Sequence, residues 1–358
     1  MLSQSHTAST DHESWQDAQA TLSRCVCVSH WTAVWYQKLD AQFVEQSVRE
    51  THAIDEETHG DYTTTANTNL FGSRNTSMTS GFKADLTGSF STPCDDNPTV
   101  VMVEAAYRHH KMNWRYINAE VPPDGLASAV AGARAMGWRG FNLSMPHKVS
   151  IIPFLDGLGE SAQLINAVNC VVRVNDQLIG ENTDGKGFLS SLTPIHEPKG
   201  SHVMLLGAGG AARAIAVELI LAGIADLTIV NRSLNRANEL RDIAESAGNA
   251  SIRIMEWKEQ ISVPDDVHVL VNCTSIGLGD AEATIPVASS SLRKDLIVAD
   301  VIPNPPKTHF LKTAQEAGCR TIDGLGMLVG QGVLGIRYWS QMDVAPDIMR
   351  QALVDVFS

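Results

Sequence analysis

At 358 residues the chain is longer than one hydrophobic core usually fills, so two domains are expected. A formal charge of -13 without any cluster of Lys and Arg argues against a nucleic-acid partner, because phosphate binding needs grouped cations. Hydrophobic residues make up 44% and charged residues 19%, an ordinary globular balance, and no apolar run approaches the roughly 20 residues that cross a bilayer.

The first 77 residues differ from the rest. They hold ten Asp or Glu against four Lys or Arg, and only Gly60 and Gly72 of the 27 glycines. One amphipathic helix is expected around WTAVWYQKLDAQFVEQ; the Thr-rich stretch that follows reads as linker or disorder. We therefore read residues 1–77 as an appendage, possible as the product of an upstream start codon, and His52 and His59 within it as solvated. The opening MLSQSHTASTDHES has no basic or apolar segment of the kind a secretory signal needs. Cys25, Cys27, Cys94, Cys170, Cys273 and Cys319 form no CxxC pair and no zinc-like spacing with histidine. No metal is expected, and a reducing cytoplasm is.

From Met78 onward short apolar runs alternate with helical patterns. ADLTGSF reads as a strand, VVMVEAAYRHH as a helix, WRYINAEV as a strand, GLASAVAGARAM as a helix and GFNLSM as a strand. That alternation predicts an α/β fold with parallel sheet and crossover helices.

A second unit starts at SHVMLLGAGGAARAIAVELILAGIADLTIVNRS, a strand, glycine turn, helix and strand. Its turn has the GxGxxA form through Gly207, Gly209 and Ala212. The first glycine permits the tight turn, the second lets backbone approach a pyrophosphate, and the small third residue lets helix pack on strand. The loop Gly207, Ala208, Gly209, Gly210, Ala211 would then offer amide donors at a helix N-terminus; a purely structural turn is the alternative. The next strand ends at Asn231, where a carboxylate would normally hold the ribose 2'-hydroxyl of NAD. Arg232, Ser233 and Arg236 stand there instead. Two guanidinium groups suit a 2'-phosphate, so NADP is expected over NAD, unless both arginines are simply solvated.

Three polar stretches complete the pattern. GFNLSMPHK carries Asn142, Ser144 and Lys148; INAVNC carries Asn169; ENTDGKGF carries Asp184. Each lies where an apolar run meets a turn, so they can face one crevice. A lysine beside an aspartate in such a crevice can pass a proton to or from an alcohol. Singly, each residue reads as structural rather than catalytic; their value lies in combination.

Taken in order, GFNLSMPHK, INAVNC, ENTDGKGF, GAGGAARA, VNRS, NCTSIGL and DGLGMLVGQG resemble the motifs of the shikimate dehydrogenases, from about Gly88 to the C-terminus. The resemblance implies an N-terminal α/β substrate domain at 78–188, a Rossmann-type NADP domain at 189–318 and helices at 319–358 that return to the first domain. It implies reversible NADP-linked reduction of 3-dehydroshikimate to shikimate, in aromatic amino acid biosynthesis. Lys148 and Asp184 would be the catalytic pair, with Asn142, Ser144, Asn169 and Gln331 on ring hydroxyls. Thr274, Ser275, Ile276, Val301 and Gly324 would join the nucleotide contacts. A monomer or homodimer acting on a small cyclic hydroxy acid is the expected form.

The chain departs from the family where the substrate carboxylate is held. Two serines are usual there; DDNPTVVMVEAAY places Asn97 and Thr99 at those positions, with Pro98 between. Asn166 and Cys170 stand where glycine and threonine are usual, and Pro303 where a tyrosine commonly faces the cleft. Quinate or another hydroaromatic acid thus stays open as substrate. A non-catalytic NADP-binding regulator is the alternative of another class, and the presence of both Lys148 and Asp184 speaks against it.

Overall fold

The computed structural model describes residues 82–357, so what was expected of residues 1–77 lies outside the described residues. The first lobe runs β1 (Asp85–Ser91), α1 (Thr99–His109), β2 (Trp114–Glu120), α2 (Leu126–Ala135), β3 (Gly140–Leu143), α3 (His147–Ser150), β4 (Gly157–Leu158), α4 (Glu160–Ile165), β5 (Cys170–Val174), β6 (Gln177–Glu181) and α5 (Asp184–Leu192). Its strands pair in the order β2-β1-β3-β5-β6-β4. β1 is parallel to both β2 and β3, as the alternating pattern predicts.

β5 does not follow that pattern: it runs antiparallel to β3 and to β6. The cause is local. Asn175 and Asp176 both have positive φ, 46° and 68°, the backbone of a two-residue hairpin turn that polar Asn and Asp tolerate. VRVNDQLIG carries that signal between two apolar runs, beyond GFNLSM, where the alternation read from the sequence ends.

The second lobe runs β7 (His202–Leu206), α6 (Gly210–Leu221), β8 (Asp226–Asn231), α7 (Leu234–Ala247), β9 (Ser251–Glu256), β10 (Val269–Asn272), β11 (Ile297–Asp300), α8 (His309–Glu316) and β12 (Arg320–Ile322), followed by α9 (Gly324–Ser340) and α10 (Pro346–Phe357). The order β12-β11-β10-β7-β8-β9 is parallel throughout. The order in which strands are added reverses between β7 and β10, and a crevice forms at the carboxyl ends of the strands at such a switch point.

Each sheet is covered on both faces, which explains its continuous apolar strands. In the first lobe α2 closes one face over Phe90, Trp138 and Phe141. On the other face Met102, Tyr107 and Tyr116 pack with Trp339 and Met349 of α9 and α10. The two last helices thus return to the first lobe. In the second lobe Ile215, Leu219 and Leu240 cover one face and Phe310 and Leu311 the other.

One helix crossing matters for the cleft. A Cβ on Gly187 of α5 would lie 2.6 Å from Met327 O and Gln331 N, and one on Gly330 of α9 would lie 2.7 Å from Gly187 O. Real Cβ atoms do not approach so closely. Two glycines facing each other therefore let α9 lie against α5, and this carries Gln331 toward the turn that starts with Asp184.

Candidate active site

A cleft of about 200 Å³ opens at the end of the first sheet. Every side chain the sequence assigned to substrate or proton transfer lines it: Asn97 and Thr99 before and at the start of α1, Asn142 and Ser144 at the end of β3, Lys148 in α3, Asn169 before β5, Asp184 at the start of α5 and Gln331 in α9. Val301, Pro303 and Gly324 reach it from the second lobe. Leu143, Met327 and Leu328 complete the lining; nothing in their sequence setting marked these three, since apolar residues of strands and helices are ordinarily core.

At the centre Lys148 Nζ donates to Asp184 Oδ2 at 2.6 Å. The lysine side chain keeps 34% of its exposure and the aspartate 18%, so the pair is reachable from the cleft. α3 is fixed by its neighbours: the Lys148 carbonyl accepts from Val168 N at 2.7 Å, and buried His147 joins Val121 O through Nε2 at 2.7 Å. A carbonyl only accepts, so Nε2 carries the proton. Asp184 begins a nine-residue helix, where amide dipoles favour a negative charge, and Asn182 Oδ1 accepts from its N–H at 3.2 Å.

Asn169 completes the group. Its Oδ1 accepts from Thr183 N at 2.7 Å, which leaves its amide nitrogen to donate to Asp184 Oδ1, also at 2.7 Å. Both carboxylate oxygens of Asp184 thus have a donor, one cationic and one neutral. Asn142 Nδ2 donates to Asn169 O at 3.0 Å, and Tyr116 OH donates to Asn142 Oδ1 at 2.8 Å. Tyr116 was not picked out from sequence, because a tyrosine in an apolar strand reads as core.

The residues assigned to a nucleotide lie along the carboxyl ends of β7, β8, β10, β11 and β12 and, apart from Val301 and Gly324, outside the cleft lining. Gly207 has φ +109°, a region L side chains avoid, and a Cβ there would meet Cys273 O at 3.1 Å. Cβ atoms on Gly209 and Gly210 would meet nothing within 4 Å; the space over this turn is open. Gly210 starts the 12-residue α6, so its first amides point to that space. Asn231 Nδ2 donates to Ser233 O, and Ser233 caps α7 by accepting from Arg236 N. Arg232, Ser233 and Arg236 are exposed. Thr274 and Ile276 are held by Asn272, whose Oδ1 accepts from Thr274 N and whose Nδ2 donates to Ile276 O and to Asp300. Burial raises the Asp300 carboxyl above its ordinary range, opposed by hydrogen bonds from Thr308, Ile302 and Asn272. These bonds tie the ends of β10 and β11 together beside the glycine turn.

Such a fold and cleft define a two-lobed α/β oxidoreductase, with a dinucleotide-type sheet beside a sheet that carries a lysine–aspartate pair. Family models described as shikimate dehydrogenase substrate binding domain, shikimate / quinate 5-dehydrogenase and shikimate 5'-dehydrogenase C-terminal domain match residues 91–171, 192–305 and 324–354. The chain is 38% identical over 277 residues to the shikimate dehydrogenase (NADP(+)) of Desulforamulus reducens, covering 76% of this chain and 95% of that one. Among solved structures it is similar to the ligand-free 5-ketofructose reductase of Gluconobacter sp. strain CHM43, at 54% identity and TM-score 0.76, covering 77% of this chain and all of that one. It is also similar to a shikimate dehydrogenase in complex with NADP+, at 32% identity and TM-score 0.70, covering 77% and 96%. The chain belongs to the shikimate dehydrogenase family.

Proposed function

We propose that the chain is an NADP-linked oxidoreductase that interconverts a hydroxyl and a ketone on a small polyhydroxylated substrate, as its shikimate dehydrogenase relatives are named for doing. The observation that carries this reading is the Lys148–Asp184 contact of 2.6 Å at a cleft lined by six further polar side chains. The open glycine turn, the absence of a carboxylate at Asn231 and the exposed Arg232 and Arg236 fit a dinucleotide with a 2'-phosphate. The loop from Gly207 to Ala211 would hold the pyrophosphate, and residues 274–276, Val301 and Gly324 the nicotinamide end. NADPH, when bound, supplies the hydride.

The chain's own groups handle the proton. As the carbonyl oxygen gains charge, Lys148 Nζ donates a proton to it, and in the reverse direction takes that proton from the alcohol. Asp184 Oδ2 keeps the ammonium aimed into the cleft. Asp184 Oδ1, held by Asn169, is left with a lone pair for a neighbouring substrate hydroxyl. Asn142, Ser144 and Gln331 supply further hydrogen bonds to hydroxyls. Cys170 and Cys273 take no part: both are buried, and burial pushes their thiols far up, away from the reactive thiolate.

For the substrate, the family favours the 3-dehydroshikimate/shikimate pair, with Thr99 and Asn97 donating to its carboxylate. A second reading, an uncharged polyhydroxy ketone such as 5-ketofructose, is favoured by the 54% identity to the Gluconobacter reductase and by the lining itself. Among the described residues Lys148 is the single cation lining the cleft, and it is already paired with Asp184. Steady-state rates with shikimate, quinate, 3-dehydroshikimate and 5-ketofructose, each with NADP(H) and NAD(H), test both readings. No turnover of any of them would overturn the oxidoreductase reading; turnover of 5-ketofructose alone would replace the first substrate with the second. A cytoplasmic monomer or homodimer is the expected form, checked by light scattering of the full chain.

A further inference from the structure

Behind the wall formed by Asn97 stands a second layer of polar side chains that does not line the cleft. Ser89 on β1 lies in register with Asn118 on β2 and with Asn142 on β3, so the three share one row and one face of the sheet. Ser89 is fully buried. The proton directions in this row can be worked outward from backbone carbonyls, which only accept.

Asn118 Nδ2 donates to Asn97 O at 2.9 Å and to Cys94 O at 3.3 Å. Both its N–H groups are then used, and its Oδ1 is an acceptor. Ser89 Oγ must therefore give its only proton to Asn118 Oδ1, at 2.9 Å. With that proton committed Ser89 Oγ can only accept, and it accepts from Asn97 Nδ2 at 3.3 Å. Asn97 Oδ1 accepts from Thr99 N at 3.1 Å. A flipped Asn97 amide would set oxygen against an oxygen whose proton is committed, and NH2 against an N–H.

We infer that Asn118 is a positioning residue: it pins the backbone of the loop at Cys94 and Asn97 directly, and through Ser89 it sets the Asn97 amide so that its second N–H is what remains for substrate. Asn118 thereby fixes that end of the cleft as a hydrogen-bond donor. It selects a substrate carrying an acceptor oxygen there and rejects one that presents only an apolar edge. The consequence for substrate choice rests on the reductase reading; the placement of Asn97 does not.

The test uses Asn118→Ala, Asn97→Ala, the double variant and Ser89→Ala, in the full chain. A crystal structure of Asn118→Ala is expected to have the Asn97 side chain turned from Ser89 and the loop at Cys94 shifted; an unmoved Asn97 overturns the inference. In kinetics with the best ketone, Asn118→Ala is expected to raise substrate KM about tenfold, the worth of one well-made hydrogen bond. Its kcat and its KM for NADPH should stay within about twofold. The Asn118 effect should vanish in the Asn97→Ala background, whereas effects that multiply would show that Asn118 does not act through Asn97. If Asn118→Ala fails to fold, Ser89→Ala removes the same relay with a smaller change and is expected to reproduce the KM shift; an unchanged KM in that variant overturns the inference. Should the wild type reduce no ketone with NADPH, the reductase reading falls, while the crystal structure still decides whether Asn118 places Asn97.

Discussion

The glycine turn of the second lobe and the polar cleft of the first are built on opposite plans. From Gly207 to Ala211 the geometry is supplied by consecutive backbone: one positive φ, a close approach to Cys273 and an open space in front of a helix start. The cleft is assembled from single side chains on α1, β3, α3, α5 and α9 and the loops beside them, and Asn142, Lys148, Asn169 and Asp184 among them are held by partners distant in sequence. A contiguous backbone site depends on few distant contacts. A dispersed side-chain site depends on many, so its specificity can change without any change in its lining residues.

If the two regions are separate in function, variants should affect them separately. The largest effect is expected for Lys148→Met, which keeps the length of the stem and removes the proton donor. Its kcat should fall by about 10² or more, with NADPH affinity by fluorescence titration unchanged; a matching loss of cofactor affinity would break the separation. Next, Arg232→Ala with Arg236→Ala should raise the dissociation constant for NADPH by about tenfold or more, on the scale of lost charge-assisted hydrogen bonds. NADH binding and the kcat at saturating cofactor should be preserved, and equal weakening of both cofactors would remove the phosphate assignment.

The smallest effect tests where the lobes meet. Glu218 on α6 lies against α5, so close that a Cβ on Gly185 would meet its Cγ at 2.7 Å. Burial raises its carboxyl above the ordinary value of 4.5, opposed by the Lys186 charge and the Ser161 hydroxyl. A raised folded-state pKa favours the fold fully below about pH 4.5 and loses that favour as pH rises through the folded value. Glu218→Gln should therefore raise Tm by a few degrees at pH 7 to 8, with the gain shrinking toward pH 4. A gain that is the same at both ends would remove burial of this charge as the cause.

The start of the second sheet, β7, α6 and β8, was legible because strand, glycine turn and helix follow one another without a break; β9 to β12 and their order were not read element by element. The first sheet was legible only in part. Its alternation up to β3 follows from period, while the turn at Asn175 and Asp176 reverses the next strand on the strength of two residues. In the cleft, residue types were readable from Asn142, Lys148, Asn169 and Asp184, because each stands where an apolar run ends. Tyr116, Ser89 and Asn118 were not: a tyrosine in an apolar strand reads as core, and a small polar residue there that serves a neighbour looks like one that faces solvent.

By itself the sequence determined the family, the two-lobed α/β plan, the glycine turn and the set of polar groups that meet at the cleft. These are written in short runs whose meaning is local. Only the tertiary structure decided how those groups are turned: that Asn169 donates to Asp184, that Asn97 faces Ser89 with its nitrogen, and that two glycines let α9 bring Gln331 to the cleft. A hydrogen bond takes its direction from both partners. Ser89 and Asn97 lie 8 positions apart, Asn169 and Asp184 15, and Ser89 and Asn118 29, so these directions exist only once the chain has folded.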